Sequence, residues 1–74
     1  MGLTIRGKKQ VNSEIYLEQD GDDINIRIAT PEGLDQTVAY FSDGGQFYTY
    51  GLDDDVAEVI KKYVVLDDNV LSVC

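Results

Sequence analysis

The chain has no histidine and no tryptophan, one proline, and one cysteine, Cys74. A single thiol forms no internal disulfide, so the sequence predicts no disulfide framework and a reducing setting. Without histidine, a nucleophile lacks its usual general base, and zinc lacks its commonest nitrogen ligand. Long apolar runs are also missing: none approaches the roughly 20 residues a membrane span needs, and residues 1–6 lack the apolar core of a signal peptide. Arg6 stands where myristoylation favours Ser or Thr. The expected location is the cytoplasm.

Positive charge is scarce. Lys and Arg number 6 against 14 Asp and Glu, a net charge of −8 in 74 residues. Arg6, Lys8 and Lys9 lie in a basic arm without acids, residues 1–10, so the rest of the chain is still more acidic. An acidic body repels nucleic acid, whose binders gather Lys and Arg on one face. The charge predicts a protein partner with a basic surface, such as a nucleic-acid-binding enzyme, and neither direct nucleic-acid binding nor membrane binding.

What remains in the sequence specifies one small domain. Residues 11–51 alternate with period 2 between turn signals, which predicts a four-stranded antiparallel meander. Asp20-Gly21 reads as a two-residue type I′ hairpin loop, setting Leu17 opposite Ile24, Ile15 opposite Ile26 and Glu14 opposite Arg27. Thr30–Leu34 reads as a five-residue loop that places Ile26 opposite Val38 and Ile24 opposite Tyr40. Asp43-Gly44-Gly45 is the next turn, and a two-residue loop there puts Phe47 and Thr49 on the aliphatic face with Val38 and Tyr40, whereas a three-residue loop would swap the faces. The opposite face receives Tyr16, Thr37, Ala39, Phe41, Tyr48 and Tyr50.

After Gly51 the period becomes 3.6. Val56, Val59, Ile60, Tyr63 and Val64 form one stripe, which predicts an amphipathic helix over 54–65 packed on one sheet face. Asp55 and Glu58 have capping-box spacing, Lys61 and Lys62 suit the C-terminal dipole, and Asp67-Asp68-Asn69 ends the helix. Leu3–Ile5 and residues 70–74 are short strand candidates. The fold class is therefore α+β, with four meander strands, five or six if the end segments join, and one C-terminal helix.

Three acidic clusters stand out: Asp20, Asp22 and Asp23; Asp53, Asp54 and Asp55; and Asp67 and Asp68. None has the ligand spacing of a calcium loop, and turn and cap chemistry accounts for each, so no metal and no cofactor is expected. Gly44-Gly45 lacks the lysine of a phosphate loop. Paired carboxylates could serve acid–base chemistry only within a cleft that so small a domain rarely forms, so the chain reads as non-enzymatic. Cys74 reads as an ordinary thiol, and Lys8 and Lys9 are expected against the chain's own acids.

The leading expectation is a small acidic binding protein that docks on a basic groove through Asp20, Asp22, Asp23, Asp53, Asp54 and Asp55 and imitates a phosphate array. In size and charge it is similar to phage-encoded inhibitors of host defence, including anti-CRISPR and anti-restriction proteins. The alternative is a homodimer or larger assembly, as a structural or accessory protein of a virion or mobile element, built through the aromatic face of Tyr16, Phe41, Tyr48 and Tyr50 or through a strand edge. A ligand-sequestering protein using Arg6, Lys8, Lys9 and Arg27 is the third reading.

Overall fold

The computed structural model describes residues 2–74. It contains seven strands and one helix, in the order β1 (Thr4–Arg6), β2 (Ile15–Asp20), β3 (Asp23–Ile28), β4 (Gln36–Phe41), β5 (Phe47–Thr49), α1 (Asp54–Tyr63), β6 (Val64–Asp67) and β7 (Val70–Val73). β2 to β5 form the antiparallel meander in sequence order, so the α+β class follows. The end segments do not extend that sheet. They form a second, three-stranded sheet of order β1-β7-β6, in which β1 runs parallel to β7. No helix among the described residues is long and apolar enough to cross a membrane.

The first hairpin keeps the predicted faces but slides its register by two residues. Leu17 pairs with Ile26, Ile15 with Ile28, and Arg27 meets Tyr16 instead of Glu14. The loop is Gly21-Asp22, with Asp20 opposite Asp23. Gly21 has φ 60° and Asp22 has no positive φ, the pattern of a II′ turn, which needs glycine only at its first central position.

Between β3 and β4 the register shifts once. Arg27 pairs with Thr37 but Ile26 pairs with Ala39, leaving Val38 as a bulge. Past the bulge, Ala39 and Phe41 turn inward and Tyr40 outward, the reverse of the sequence expectation for this strand. Burial explains the choice: Ala39 is fully buried beside Ile24 and Ile26, whereas an inward Tyr40 would have to find a partner for a buried hydroxyl. The next loop is Asp43-Gly44-Gly45, one residue longer than predicted, with Ser42 N–H donating to Gln46 O at 2.9 Å. Phe47 therefore still faces inward, paired with Phe41, and Thr49, paired with Ala39 on the same side, is exposed at the sheet edge.

The helix is shorter than the apolar stripe implies. Val64 is its C-cap and already extended, at φ −102° and ψ 122°, and the chain passes directly into β6. Two β-branched residues in succession, Val64 and Val65, suit the strand and pair with Val73 and Ser72. Asp67-Asp68-Asn69 is thus no helix stop. Asp68 and Asn69 form the two-residue β6–β7 loop, with Asp68 at φ 62°. Asp53 is the N-cap, two residues before Asp55, and its side chain makes no cap bond, so the Asp55–Glu58 capping box does not form.

One hydrophobic cluster joins both sheets and the helix: Ile15, Leu17, Ile24, Ile26 and Ala39 from the meander, with Leu3, Ile60, Val64 and Leu71. Leu3 also ties the layers by its backbone. Its N–H donates to Asp22 O at 2.9 Å and its carbonyl accepts from Gln19 Nε2 at 2.8 Å, while Thr4 N–H donates to Asn69 O at 3.0 Å. At Gly2 any Cβ would lie 2.8 Å from Asp22 Cα, so this close approach requires glycine.

Two stability tests follow. Leu3→Ala should cost about 2–5 kcal/mol, the range for truncating a fully buried leucine, and a loss within the error of urea unfolding would contradict the role given to Leu3. Gly45 has φ 83°, and a Cβ there would lie 2.9 Å from Leu66 Cδ2, whereas Gly44 is open. Gly45→Ala should therefore destabilise by about 1–2 kcal/mol and Gly44→Ala much less; equal effects would refute the turn assignment.

Candidate functional site: an acidic end and a tyrosine face

In a meander, the β2–β3 and β4–β5 turns lie at the same end of the sheet. Asp20, Asp22, Asp23 and Asp43 therefore share that end. The segment Gly2–Thr4 draws the β6–β7 loop toward it, because Leu3 is bonded to Asp22 and Thr4 to Asn69 on consecutive backbone amides. Asn69 Nδ2 also donates to Gly2 O at 3.4 Å. Asp67 and Asp68 thus join Asp22 across one extended segment, a proximity with no signal in the sequence. The helix-end reading of Asp67 and Asp68 concealed it.

No Lys or Arg occurs in any of these three turns. The one ion pair among the described residues is Arg27 Nε to Glu18 Oε2 at 3.8 Å, in mid-sheet. Of the six turn carboxylates only Asp20 accepts a side-chain hydrogen bond, from Asn25 Nδ2 at 3.3 Å. Asp20 and Asp23 even stand opposite each other across the strands, a like-charge pair that disfavours the hairpin. The lysines lie elsewhere. Lys61 and Lys62 are in the last helical turn, where with Glu58, Val59 and Tyr63 they line a shallow depression. Lys8 and Lys9 are exposed and form no ion pair among the described residues; the Lys9 carbonyl accepts from Leu17 N–H at 2.8 Å.

Asp53, Asp54 and Asp55 are exposed at the helix start, beyond the other end of β5. No hydrogen bond ties them to the turn carboxylates. The structure therefore brings Asp20, Asp22 and Asp23 together with Asp43, Asp67 and Asp68, and leaves Asp53 to Asp55 as a separate group. Among the described residues, no cluster of three or more His, Cys, Asp or Glu could hold a metal ion. Cys74 is exposed.

The outward face of the meander divides in two. At one side, Arg27 Nε donates to the Tyr16 hydroxyl at 3.2 Å, Nη1 to Thr37 Oγ1 at 2.8 Å and Nη2 to Asp35 O at 3.2 Å, while the Tyr16 hydroxyl donates to the Asp35 carboxylate. The bond to Tyr16 raises the Arg27 pKa further above its ordinary value, so this cation is permanent. At the other side Tyr40 stacks on Tyr48, with centroids 5.1 Å apart, and on Tyr50, 5.6 Å apart. Phe41 is not in this set. It lies on the core face, its ring 4.8 Å from Phe47, and Tyr40 takes its place.

Comparison of the chain with protein-family models, with curated proteins and with solved structures gives no match.

Partial desolvation, and then the neighbouring Tyr50, Tyr48 and Asp23, raise the Tyr40 pKa above 10.0. The folded state thus holds this proton more tightly than the unfolded chain. The stabilisation is complete below the unfolded tyrosine pKa of about 10 and is lost as pH rises through the higher folded value. The melting temperature should fall as pH is raised past that point, and Tyr40→Phe should flatten the fall. An unchanged alkaline slope in Tyr40→Phe would exclude Tyr40 as its source.

Proposed function

We propose that this protein is a non-enzymatic, acidic binding protein that docks its carboxylate-bearing end on a basic, nucleic-acid-holding surface of another protein. An inhibitor of a host defence enzyme, of the kind phages encode, is the setting that suits it. The observation that carries the reading is the assembly of Asp20, Asp22, Asp23, Asp43, Asp67 and Asp68 from three turns at one end without a base among them.

Turn chemistry alone does not require this arrangement. Gly21 supplies the positive φ of the first loop, yet Asp22 and Asp23 follow it without a side-chain bond; Asp43 and Asp67 likewise make none among the described residues. Together they hold negative charge at one end that no base of the fold neutralises there. A cationic partner would neutralise it. Opposed fields would also speed encounter and make binding fall with salt. The site assignment therefore shifts from the helix start to the β6–β7 loop.

The test is affinity capture from the lysate of the native host at low and high salt, with duplex DNA as competitor. Wild type should retain a basic nucleic-acid-binding protein that high salt and DNA both release. A variant with Asp22, Asp23, Asp67 and Asp68 changed to Asn should bind that protein about tenfold or more weakly, equivalent to at least about 1.4 kcal/mol. Asn at Asp53, Asp54 and Asp55 should change the affinity little. Equal capture by wild type and the four-Asn variant, at matched melting temperatures, would overturn the proposal, as would capture indifferent to salt.

A further inference from the structure

The two edges of the meander are finished differently. Along β2 the chain covers its own edge: Leu17 N–H donates to Lys9 O and Val11 N–H to Ile15 O, both at 2.8 Å, and Gln10 bridges to Tyr16. β2 also carries Glu18 and Asp20, charges of the kind that discourage strand addition. No strand among the described residues pairs with the outer side of β5.

The register fixes which groups that bare edge offers. Ser42 N–H donates to Gln46 O at 2.9 Å and Tyr50 N–H to Val38 O at 2.8 Å. The polar backbone groups of Gln46, Tyr48 and Tyr50 therefore point to β4, and by alternation those of Phe47 and Thr49 point outward. Exposed edges are ordinarily protected by short length, charge, proline or a bulge, and of these β5 has only its three-residue length. From Gly44 to Leu52 there is neither a charged residue nor a proline. Tyr48 is 44% exposed and Tyr50 63%, beside the edge.

We propose that β5 is a self-association site, at which two copies pair β5 to β5 antiparallel about a two-fold axis through Tyr48. Phe47 then exchanges both backbone hydrogen bonds with the partner's Thr49, and Thr49 does the same with the partner's Phe47. The two meanders become one eight-stranded sheet. A second copy is the occupant because an antiparallel self-pair about Tyr48 satisfies the outward donors and acceptors of two bare edges at once and closes the association at two copies. The paired residues, Phe47 to Thr49, add no carboxylate to the repulsion between two copies of net charge −8, and the acids that flank them, Asp43 and Asp53 to Asp55, make the pairing dependent on salt. Tyr48 meets its own copy in a non-hydrogen-bonded pair, the closer of the two cross-strand geometries, which continues the Tyr40–Tyr48 stack across the axis.

Light scattering during size exclusion, over a wide range of protein concentration, should show mass rising from monomer to dimer and no further, and more readily at high salt. Tyr48→Lys makes the net charge less negative, which by itself would ease association. In the proposed dimer it opposes two lysines at the axis, so the variant should remain monomeric while retaining its far-UV circular dichroism. Tyr48→Cys combined with Cys74→Ser should form a disulfide-linked dimer on oxidation, because directly opposed strand residues lie within disulfide reach. A wild type that stays monomeric throughout, dimers that persist in Tyr48→Lys, growth beyond the dimer, or a Tyr48→Cys variant that does not cross-link would each overturn the proposal. So would uptake of an unrelated peptide strand along β5 by a monomer.

Discussion

The contact on which the rest of the structure depends is the docking of Leu3. Its side chain is 2% exposed in the shared core, and its backbone N–H and C=O are both bonded to the β2–β3 hairpin. One residue later, Thr4 N–H is bonded to the β6–β7 loop. β1 has only three residues and little stability of its own; it holds because β7 pairs with it in parallel while Leu3 fills the space between the sheets. This pairing joins the two ends of the sequence, so the ordering cost of a long loop is repaid by burial of apolar surface. Without it the second sheet would reduce to the β6–β7 hairpin, a unit that is marginal in isolation.

A second constraint acts within the meander. A two-layer core can be filled from one sheet face only, and the bulge at Val38 decides which residues of β4 supply it. Val38 and Ala39 both reach the core, and the strand then presents Phe41 inward and Tyr40 outward. Polarity is thereby sorted between the faces. The inner face is aliphatic with a Phe41–Phe47 pair, and the outer face carries the hydroxyls, Arg27 and the carboxylates that bond to them. Offset tyrosine stacking adds about 0.5–1.5 kcal/mol per pair beyond area burial, which helps hold the short β5 in place.

Periodicity and turn residues made the meander legible from the sequence, because alternation at period 2 over β2 and β3 has no competing reading. Register was legible only as far as turn type was. Asp20-Gly21 and Gly21-Asp22 are adjacent windows on one motif, and choosing between them slides the strand by two residues without changing its faces. The Val38 bulge and the three-residue loop at Asp43–Gly45 each change register by one, and the two shifts cancel for β5. Alternation therefore predicts the correct face for Tyr48 and Tyr50 while exchanging Phe41 and Tyr40. No local signal identifies such a bulge. Its cause is tertiary, the fit of Ala39 under the core. The stripe through Tyr63 and Val64 likewise concealed a helix that ends where strand pairing begins, and with it the β6–β7 hairpin. The parallel β1–β7 pair, and so the joining of the acidic turns, depends on contacts between the two ends of the chain that no sequence window contains.

These features together divide the surface by charge in a way that composition alone does not imply. Carboxylates bonded within the fold are few: Glu18 to Arg27, Asp35 to Tyr16, and Asp20 to Asn25. The other turn acids are concentrated at one end, while the β5 edge and its tyrosines carry no charge. Uniformly spread acids would oppose every partner of like sign equally and favour no orientation with a cationic one. Segregated acids produce a directed field at one end and leave an uncharged edge where only shape and backbone hydrogen bonding decide what binds. The two proposed contacts therefore rest on different physics, charge at the acidic end and shape with backbone pairing at the β5 edge.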